Sequence, residues 1–307
     1  MLSCSDIILS SSTQPDAALL HTLSESTLLL AAGLSFSIKE PQILALVGPN
    51  GSGKTTLMNC MMNLLEYQAG TVTILGKDNK DTSIFREISY LKDNNILYPY
   101  LTGYDHLKYI SDIQKLEHGR IDEVAAKIGI TSYMHKNVSS YSLGMKQHLL
   151  IAMSIMNKPK LILMDEPLTG LDPDSIIRTR ELIQELYIQG VTILLSSHSL
   201  SEIDFITTDI LFLSEGKVMY EDIEAYKKME YSLSFHNEQR QQDFVSALEN
   251  SLWQDHYRGD LDTIKVNVSE SEINDFIGFM ASNKLEIANL TSRRRGAEER
   301  YREIFHL

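Results

Sequence analysis

The chain alternates between short, continuous apolar runs and longer segments with helical spacing. Three of the runs are uninterrupted, at Ile43–Val47, Leu161–Met164 and residues 191–195. Continuous apolar runs separated by helical patterns are typical of a mainly parallel β-sheet that is covered on both faces. The pattern therefore predicts an α/β fold. Between the first two runs, helical spacing predominates over about residues 94–157, which predicts a mostly helical insert.

The pattern changes in the last third of the chain. Alternating segments at residues 231–235 and Thr263–Val268 predict strands, and segments with helical spacing accompany them in the order βαββαβα. That order predicts a separate small α+β domain over residues 229–307. At the other end, residues 1–15 are Ser-rich and weakly patterned, so we expect a loose extension there, followed by the main domain at residues 16–222.

Charge and cysteine content narrow the possible partners. The chain has 28 Lys and Arg against 41 Asp and Glu, a net charge of −13, and no nucleic-acid partner is expected for so acidic a surface. Two cysteines are too few for a disulfide framework. The longest apolar run, residues 28–34, is far shorter than the roughly 20 residues that cross a bilayer, and no basic residue precedes Lys39. We therefore expect a soluble chain without a signal peptide.

A phosphate-binding motif follows the first apolar run. Residues 48–55 read GPNGSGKT, which matches G-x-x-x-x-G-K-[ST] between a predicted strand and a predicted helix. The glycines let backbone N–H groups turn toward phosphate oxygens, Lys54 neutralises phosphate charge, and the Thr55 hydroxyl binds Mg²⁺. A chance glycine-rich turn is the alternative. The predicted nucleotide-binding residues of this cradle are Gly48, Pro49, Asn50, Gly51, Ser52, Gly53, Lys54, Thr55 and Thr56.

Three further residues follow the other two apolar runs. Asp165 and Glu166 end the second run, where an open α/β sheet places its ligands. Asp165 is predicted to face Mg²⁺, and Glu166 to polarise an attacking water; a helix N-cap pair is the alternative. His198 follows the third run and fits a sensor of the γ-phosphate that also orients the water, although an isolated His is more often structural. Glu166 and His198 are the predicted catalytic residues.

Two more motifs complete the pattern. Residues 141–147 read YSLGMKQ, in which Ser142 and Gly144 stand at a predicted helix N-terminus and form a second phosphate site. Residues 168–172 read LTGLD. Taken in order, the cradle, the heptad, the paired acids, LTGLD and the histidine resemble the motifs of an ABC-type ATPase subunit. The resemblance covers about residues 17–222.

The resemblance implies a P-loop NTPase core with an antiparallel β-subdomain and the helical insert, followed by the small α+β C-terminal domain. It also implies a dimer with a second ATP-binding subunit, identical or different, that sandwiches two ATP molecules. Each ATP would contact the cradle of one subunit and Ser142 and Gly144 of the other, and Asp172 joins the nucleotide-binding set. ATP-driven closure would move a transmembrane permease subunit, which would hold the chain at the cytoplasmic face of the cell membrane.

Two positions depart from the family pattern. Asp93 stands where the family has a Gln that reaches Mg²⁺ and the attacking water. The resemblance therefore places Asp93 with Thr55 and Asp165 as a metal residue. The family also stacks adenine on an aromatic residue ahead of the cradle, but residues 17–34 contain no Phe, Tyr or Trp, and His21 is the only ring there.

The leading hypothesis is an ATP-hydrolysing subunit of a membrane transporter. The motif style and the appended α+β domain resemble subunits of drug, lantibiotic or bacteriocin-peptide export and immunity systems, which indicates export of a peptide or antibiotic. The alternative is a nucleotide-gated regulatory subunit with weak or no hydrolysis, which Asp93 and the missing aromatic favour. An ATPase acting on ribosomes or DNA is disfavoured, because the chain has one cradle and no long coiled coil.

Docking of the permease is expected beside the Asp93 loop. Tyr98 and Tyr100 fall there, and aromatic residues at this place could hold a short helix of the membrane subunit. The alternative is that both tyrosines pack the helical insert onto the core.

Overall fold

The computed structural model describes residues 2–8, 34–67, 69–214, 216–224, 229–259, 263–269 and 272–305, with the backbone alone at 3–8 and 293–294. The chain divides into two compact units, Met1–Glu221 and Asp222–Leu307. Among the described residues, no helix has the length and apolar character needed to cross a bilayer.

The first unit contains strands and helices in alternation. Its strands are β1 (Leu2–Ile8), β2 (Leu34–Ile38), β3 (Ile43–Val47), β4 (Ala69–Ile74), β5 (Lys77–Asp78), β6 (Ile88–Leu91), β7 (Leu161–Met164), β8 (Thr192–Ser196), β9 (Asp209–Ser214) and β10 (Lys217–Asp222). Its helices are α1 (Lys54–Met61), α2 (Gly103–Gln114), α3 (Arg120–Ile128), α4 (Leu143–Ile155), α5 (Pro173–Ile188) and the short α6 (Leu200–Ile203).

The central sheet has six strands in the order β10-β9-β3-β8-β7-β6. The pairs from β9 to β6 are all parallel. Every residue of β3, β7 and β8 is buried, as the continuous apolar runs predict. The α/β prediction is confirmed. Because β8 lies between β3 and β7, the carboxyl ends of these three strands meet at one edge of the sheet.

A second sheet, with the order β2-β1-β4-β5, is antiparallel throughout. This is the antiparallel β-subdomain that the family resemblance implies. The expectation of a loose extension is wrong for residues 2–8, which form the inner strand β1. Backbone hydrogen bonds to both neighbours hold this Ser-rich strand, with Leu2 in register with both Ile38 and Ile74. The remaining residues of the expected extension, and His21, lie outside the described residues.

The helical insert is confirmed as α2, α3 and α4. A capping box opens α2, where Thr102 and Asp105 exchange hydrogen bonds between side chain and backbone. Gly119 and Gly129 flank α3, with φ values of 91° and 82°, a left-handed conformation that costs glycine little.

The second unit follows the predicted order βαββαβα. Its elements are β11 (Met229–Ser234), α7 (Glu238–Glu249), β12 (Tyr257–Gly259), β13 (Thr263–Val268), α8 (Ile273–Ser282), β14 (Asn289–Arg294) and α9 (Ala297–Phe305). The strands form one antiparallel sheet, β12-β13-β11-β14. Its alternating inward residues, such as Leu233 and Val266, pack with Phe244, Trp253 and Phe276 in a separate core.

Candidate functional site

The predicted cradle forms a tight loop between β3 and α1. Gly48 leaves β3 so close to β9 that an added Cβ would lie 2.4 Å from the carbonyl oxygen of Leu213. Gly53 precedes α1 with φ at 100°, in the left-handed region. Only glycine satisfies both positions without strain. The loop therefore leads directly into the N-terminus of α1, whose free backbone N–H groups and helix dipole favour a bound anion.

Lys54 crosses the mouth of this cradle. Its Nζ donates hydrogen bonds to the carbonyl oxygens of Gly48 at 2.8 Å and Pro49 at 3.2 Å. Burial lowers the pKa of Lys54, and the negative charges of Glu166 and Asp165 oppose that shift. Two neutral carbonyl oxygens thus hold the Lys54 ammonium over the loop. A phosphate anion can replace them as the acceptor, and its negative charge then pairs with the ammonium.

The residues around Lys54 fit a phosphate group as well. The hydroxyl Oγ of Ser52 is buried and has no hydrogen-bond partner among the described residues. A buried hydroxyl without a partner is costly, and a phosphate oxygen at the cradle is the acceptor it lacks. Pro49, Asn50 and Gly51 are exposed, so the loop is open to solvent and to a ligand.

Asp165 directly follows β7 and lies against the cradle. Its Oδ2 accepts a hydrogen bond from the Thr55 hydroxyl at 2.7 Å, and its Oδ1 accepts one from the Ser196 hydroxyl at 2.5 Å. A hydroxyl and a carboxylate in contact are a donor set that suits Mg²⁺, a cation that takes one or two protein oxygens besides water and substrate phosphate. In the described part of the chain, no three His, Cys, Asp or Glu side chains converge on a single point.

Glu166 is held beside His198. The Nδ1 of His198 lies 2.7 Å from Oε2 of Glu166, and the Thr169 hydroxyl donates to the same oxygen at 3.4 Å. Glu166 itself has a φ of 52°, an uncommon left-handed conformation for a residue with a side chain. Its backbone N–H donates to Oγ of Ser196 at 3.0 Å. The two predicted catalytic residues are therefore in direct contact.

The other predicted site residues make local contacts in this single chain. Ser142 is the N-cap of α4, and its Oγ accepts from the backbone N–H of Met145 at 3.2 Å. Asp172 is the N-cap of α5, and its contacts with Ser175 lower the pKa of the Asp172 carboxyl. An added Cβ at Gly144 would lie 3.4 Å from the carbonyl oxygen of Gly170.

Asp93 also makes a local contact. Its Oδ1 accepts a hydrogen bond from the backbone N–H of Asn95 at 2.8 Å and caps the short helical turn at Asn94–Ile96. This bond commits one of the two carboxylate oxygens. The role of Asp93 at the metal stays a prediction.

Sequence reasoning missed two residues that hold the acids in place. Ser196 is buried and hydrogen-bonds to both acids. Gln147, the last residue of the heptad, is also buried, and its Nε2 donates to the carbonyl oxygen of Pro167 at 2.9 Å. The available signal for Ser196 was its place directly after the run at residues 191–195, and for Gln147 its place in the heptad motif.

A groove of about 350 Å³ lies beside the Asp93 loop, between β6 and the helical insert. Its lining is mainly apolar and includes Leu91, Ile96, Ile110 and Met153. Tyr98 and Tyr100 lie just beyond it in sequence and are 56% and 70% exposed, with ring centroids 5.8 Å apart. Both rings are therefore largely exposed, and the Tyr98 ring also stacks on His106 of α2 at 6.2 Å, so docking and packing of the insert onto the core both stay predictions.

Family models and curated relatives agree on the kind of protein. A family model described as ABC transporter matches residues 31–169, and one described as AAA domain, putative AbiEii toxin, Type IV TA system matches residues 136–204. The uncharacterized ABC transporter ATP-binding protein YdbJ of Bacillus subtilis is 38% identical over 192 residues, covering 61% of this chain and 62% of YdbJ. The match thus spans less than two thirds of that relative's length.

Two other relatives carry names that state a role. The lantibiotic transport ATP-binding protein SrtF of Streptococcus pyogenes is 35% identical over 188 residues, 61% of this chain and 82% of SrtF. The linearmycin resistance ATP-binding protein LnrL of Bacillus subtilis is 30% identical over 198 residues, 62% of this chain and 63% of LnrL. A solved ATP binding subunit of an ABC transporter has the same fold, with a TM-score of 0.64 at 24% identity over 74% of this chain and 91% of that chain.

The parallel sheet and its cradle define a P-loop nucleotide-binding protein. The extent of the match to SrtF makes the assignment more specific. The chain belongs to the family of ABC transporter ATP-binding proteins.

Proposed function

We propose that this chain binds ATP with Mg²⁺ and hydrolyses it, as the ATP-binding subunit of a transporter whose membrane-spanning permease is a separate chain. The observation that carries the proposal is the contact between Glu166 and His198, which stands at the same sheet edge as Lys54, Thr55 and Asp165. Phosphoryl transfer to water requires a loop that binds phosphate, oxygen atoms that can bind Mg²⁺, and a carboxylate fixed in position. These residues supply all three.

Each residue has a separate task in the proposed reaction. Thr55 and Asp165 would hold Mg²⁺, which neutralises phosphate charge when bound. Lys54 leaves its two carbonyl acceptors and binds the phosphate oxygens of ATP. Glu166 accepts a proton from the attacking water, and His198 holds the Glu166 carboxylate in the orientation that this step needs. Ser142 and Gly144 would bind the ATP held by a second ATP-binding subunit.

The proposed cargo is a peptide or antibiotic that is exported. Support comes from the relatives SrtF and LnrL, which are named as a lantibiotic transport protein and a linearmycin resistance protein. The permease would select the cargo and would hold this chain at the cytoplasmic face of the cell membrane. Co-purification of the chain with its permease, followed by ATP-dependent uptake of a labelled lantibiotic into inverted vesicles, tests the cargo.

The groove between β6 and the insert is the proposed docking place of the permease. Its apolar lining fits one face of a short amphipathic helix, and the exposed rings of Tyr98 and Tyr100 follow Ile96 of that lining in sequence. Changing both tyrosines to Ala is expected to release the permease while ATP binding remains. Tyr109, exposed on α2, provides a matched control when changed to Ala. Undiminished association of the double variant would contradict this docking place.

Hydrolysis is tested with Glu166→Gln in the purified complex. The amide cannot accept a proton, so single-turnover hydrolysis is expected to fall about a hundredfold or more while ATP binding persists. Glu185→Gln serves as the control, because Glu185 is a surface residue whose partner is Lys127 on α3.

The regulatory alternative rests on Asp93, which stands where the family has a Gln and whose Oδ1 accepts a hydrogen bond from the backbone N–H of Asn95. An unchanged hydrolysis rate in Glu166→Gln would favour that alternative.

A further inference from the structure

We infer that Ser196 is a positioning residue that sets the orientation of both Asp165 and Glu166 for metal binding and hydrolysis. The inference deepens the proposed function and rests on it. Ser196 ends β8, the strand between the cradle strand and the strand of the acids. It pairs in register with Leu46 of β3, and Leu195 before it pairs with Met164 of β7. Its side chain is fully buried.

The direction of each Ser196 hydrogen bond follows from its partners. The backbone N–H of Glu166 can only donate, so Oγ of Ser196 accepts that bond, at 3.0 Å. The single hydroxyl proton is then free for Oδ1 of Asp165, at 2.5 Å. Ser196 therefore fixes Oδ1 of Asp165, and the other oxygen, Oδ2, faces the Thr55 hydroxyl.

The second Ser196 hydrogen bond acts on the backbone of Glu166. Glu166 has a φ of 52°, which residues with a side chain rarely adopt. Surrounding contacts must hold such a conformation, and the bond from its N–H to Ser196 is one of them. The same residue directs its carboxylate to His198. Loss of the Ser196 hydroxyl would leave the Glu166 backbone free to relax and move its carboxylate from His198.

The consequences of Ser196→Ala are specific. The variant leaves Oδ1 of Asp165 and the N–H of Glu166 without their partner at the end of a buried strand. Outer-shell partners of metal ligands are typically worth about 10- to 100-fold in metal affinity or activity. We expect kcat for ATP hydrolysis to fall by about that factor and half-saturating Mg²⁺ to rise several-fold, while ATP binding without Mg²⁺ changes less than about threefold.

The experiment uses the full chain in its complex with three single variants. Ser196→Ala removes the hydroxyl, and Ser196→Thr keeps it and should recover most of the activity. Thr192→Val removes a buried hydroxyl at the opposite end of the same strand and should hydrolyse ATP at the wild-type rate. Thermal unfolding of each variant establishes that it is folded. A Thr192→Val loss equal to that of Ser196→Ala would overturn the inference, because a general weakening of β8 would then explain both.

A double variant separates positioning from simple loss of stability. If Ser196 acts on hydrolysis through Glu166, then Ser196→Ala adds no further loss of kcat to Glu166→Gln. Multiplicative losses in the double variant at saturating Mg²⁺ would refute the role toward Glu166, and a wild-type kcat and Mg²⁺ dependence in Ser196→Ala would refute both roles. If the wild-type complex binds Mg²⁺ and ATP without hydrolysis, the proposed function fails, and the Mg²⁺ dependence of ATP binding in Ser196→Ala still decides the role toward Asp165.

Discussion

Arg120 connects two helices of the insert, and its removal should destabilise the first unit measurably. It is the first residue of α3, and its side chain is 11% exposed. Its Nε donates to the carbonyl oxygen of Met156 at 2.9 Å, and its Nη2 donates to that of Ile155 at 2.6 Å. These carbonyls end α4, where the helix dipole favours a cation. Arg120 also forms an ion pair with the exposed carboxylate of Glu123 at 2.7 Å.

The expected cost of Arg120→Ala follows from these contacts. A hydrogen bond with a charged donor contributes about 1.5–3 kcal/mol, and two bonds from one guanidinium do not add in full, so we expect a loss of about 2–4 kcal/mol. Water screens the ion pair with the exposed Glu123 carboxylate, so Glu123→Ala should stay close to the wild type in stability. Arg120→Lys should fall between the two, because an ammonium keeps the charge but cannot reproduce the planar fork.

Urea unfolding measures these differences. With a denaturant dependence of about 2–3 kcal/mol per molar, Arg120→Ala should lower the midpoint of the far-ultraviolet circular dichroism transition by about 1 M. The chain's single tryptophan, Trp253, lies in the second unit, so its fluorescence reports that unit separately. Equal shifts in Arg120→Ala and Glu123→Ala would refute the reasoning, since the ion pair would then account for the whole effect.

Three other predictions concern small residues. Gly48→Ala should abolish ATP binding, because its Cβ would lie 2.4 Å from a backbone oxygen; titration calorimetry showing wild-type affinity would contradict this. Gly278→Ala should raise stability by about 0.5–1 kcal/mol, because the residue is exposed within α8 and an added Cβ would meet nothing within 4 Å; a lowered melting temperature would count against it. Burial raises the pKa of the Cys60 thiol to about 11. In a Cys4→Ser background at pH 8, where an ordinary thiol is about one quarter ionised, iodoacetamide should therefore modify native Cys60 at least a hundredfold more slowly than unfolded chain; comparable rates would refute the burial argument.

The elements that the sequence predicted are those whose own residues carry the signal. The run Leu161–Met164 is apolar at every position, and the structure makes it a strand with the same bounds. The alternation in Thr263–Val268 likewise matches β13. The strand β1 was missed because its Ser-rich residues have weak β-propensity. Hydrogen bonding to β2 and β4 along its two edges stabilises β1 in spite of this weak β-propensity. Both neighbours are distant from β1 in the sequence, so its local pattern does not predict the pairing.

The candidate site likewise contains residues that the sequence predicts and contacts that it does not predict. Motifs with a characteristic spacing contain Lys54, Thr55, Asp165 and Glu166. The order of residues along the chain is therefore enough to predict these site residues. The contact between Glu166 and His198 could not be predicted from the sequence, because it depends on which strands are neighbours in the sheet. The docking alternatives for Tyr98 were also undecidable, since the sequence does not give the exposure of a ring.

The surroundings of Ser196 show what determines the contacts that the sequence does not predict. In chain order β7 precedes β8, but in the sheet β8 lies between β3 and β7, so the cradle and the acids are brought to opposite sides of Ser196. The parallel register pairs Met164 with Leu195, which places Asp165 beside Ser196 at the next position. A slip of one residue would turn the Ser196 side chain to the other face of the sheet. Buried apolar side chains throughout β7 and β8 fix this register, so the orientation of the acids depends on a packed core as much as on the motif residues themselves.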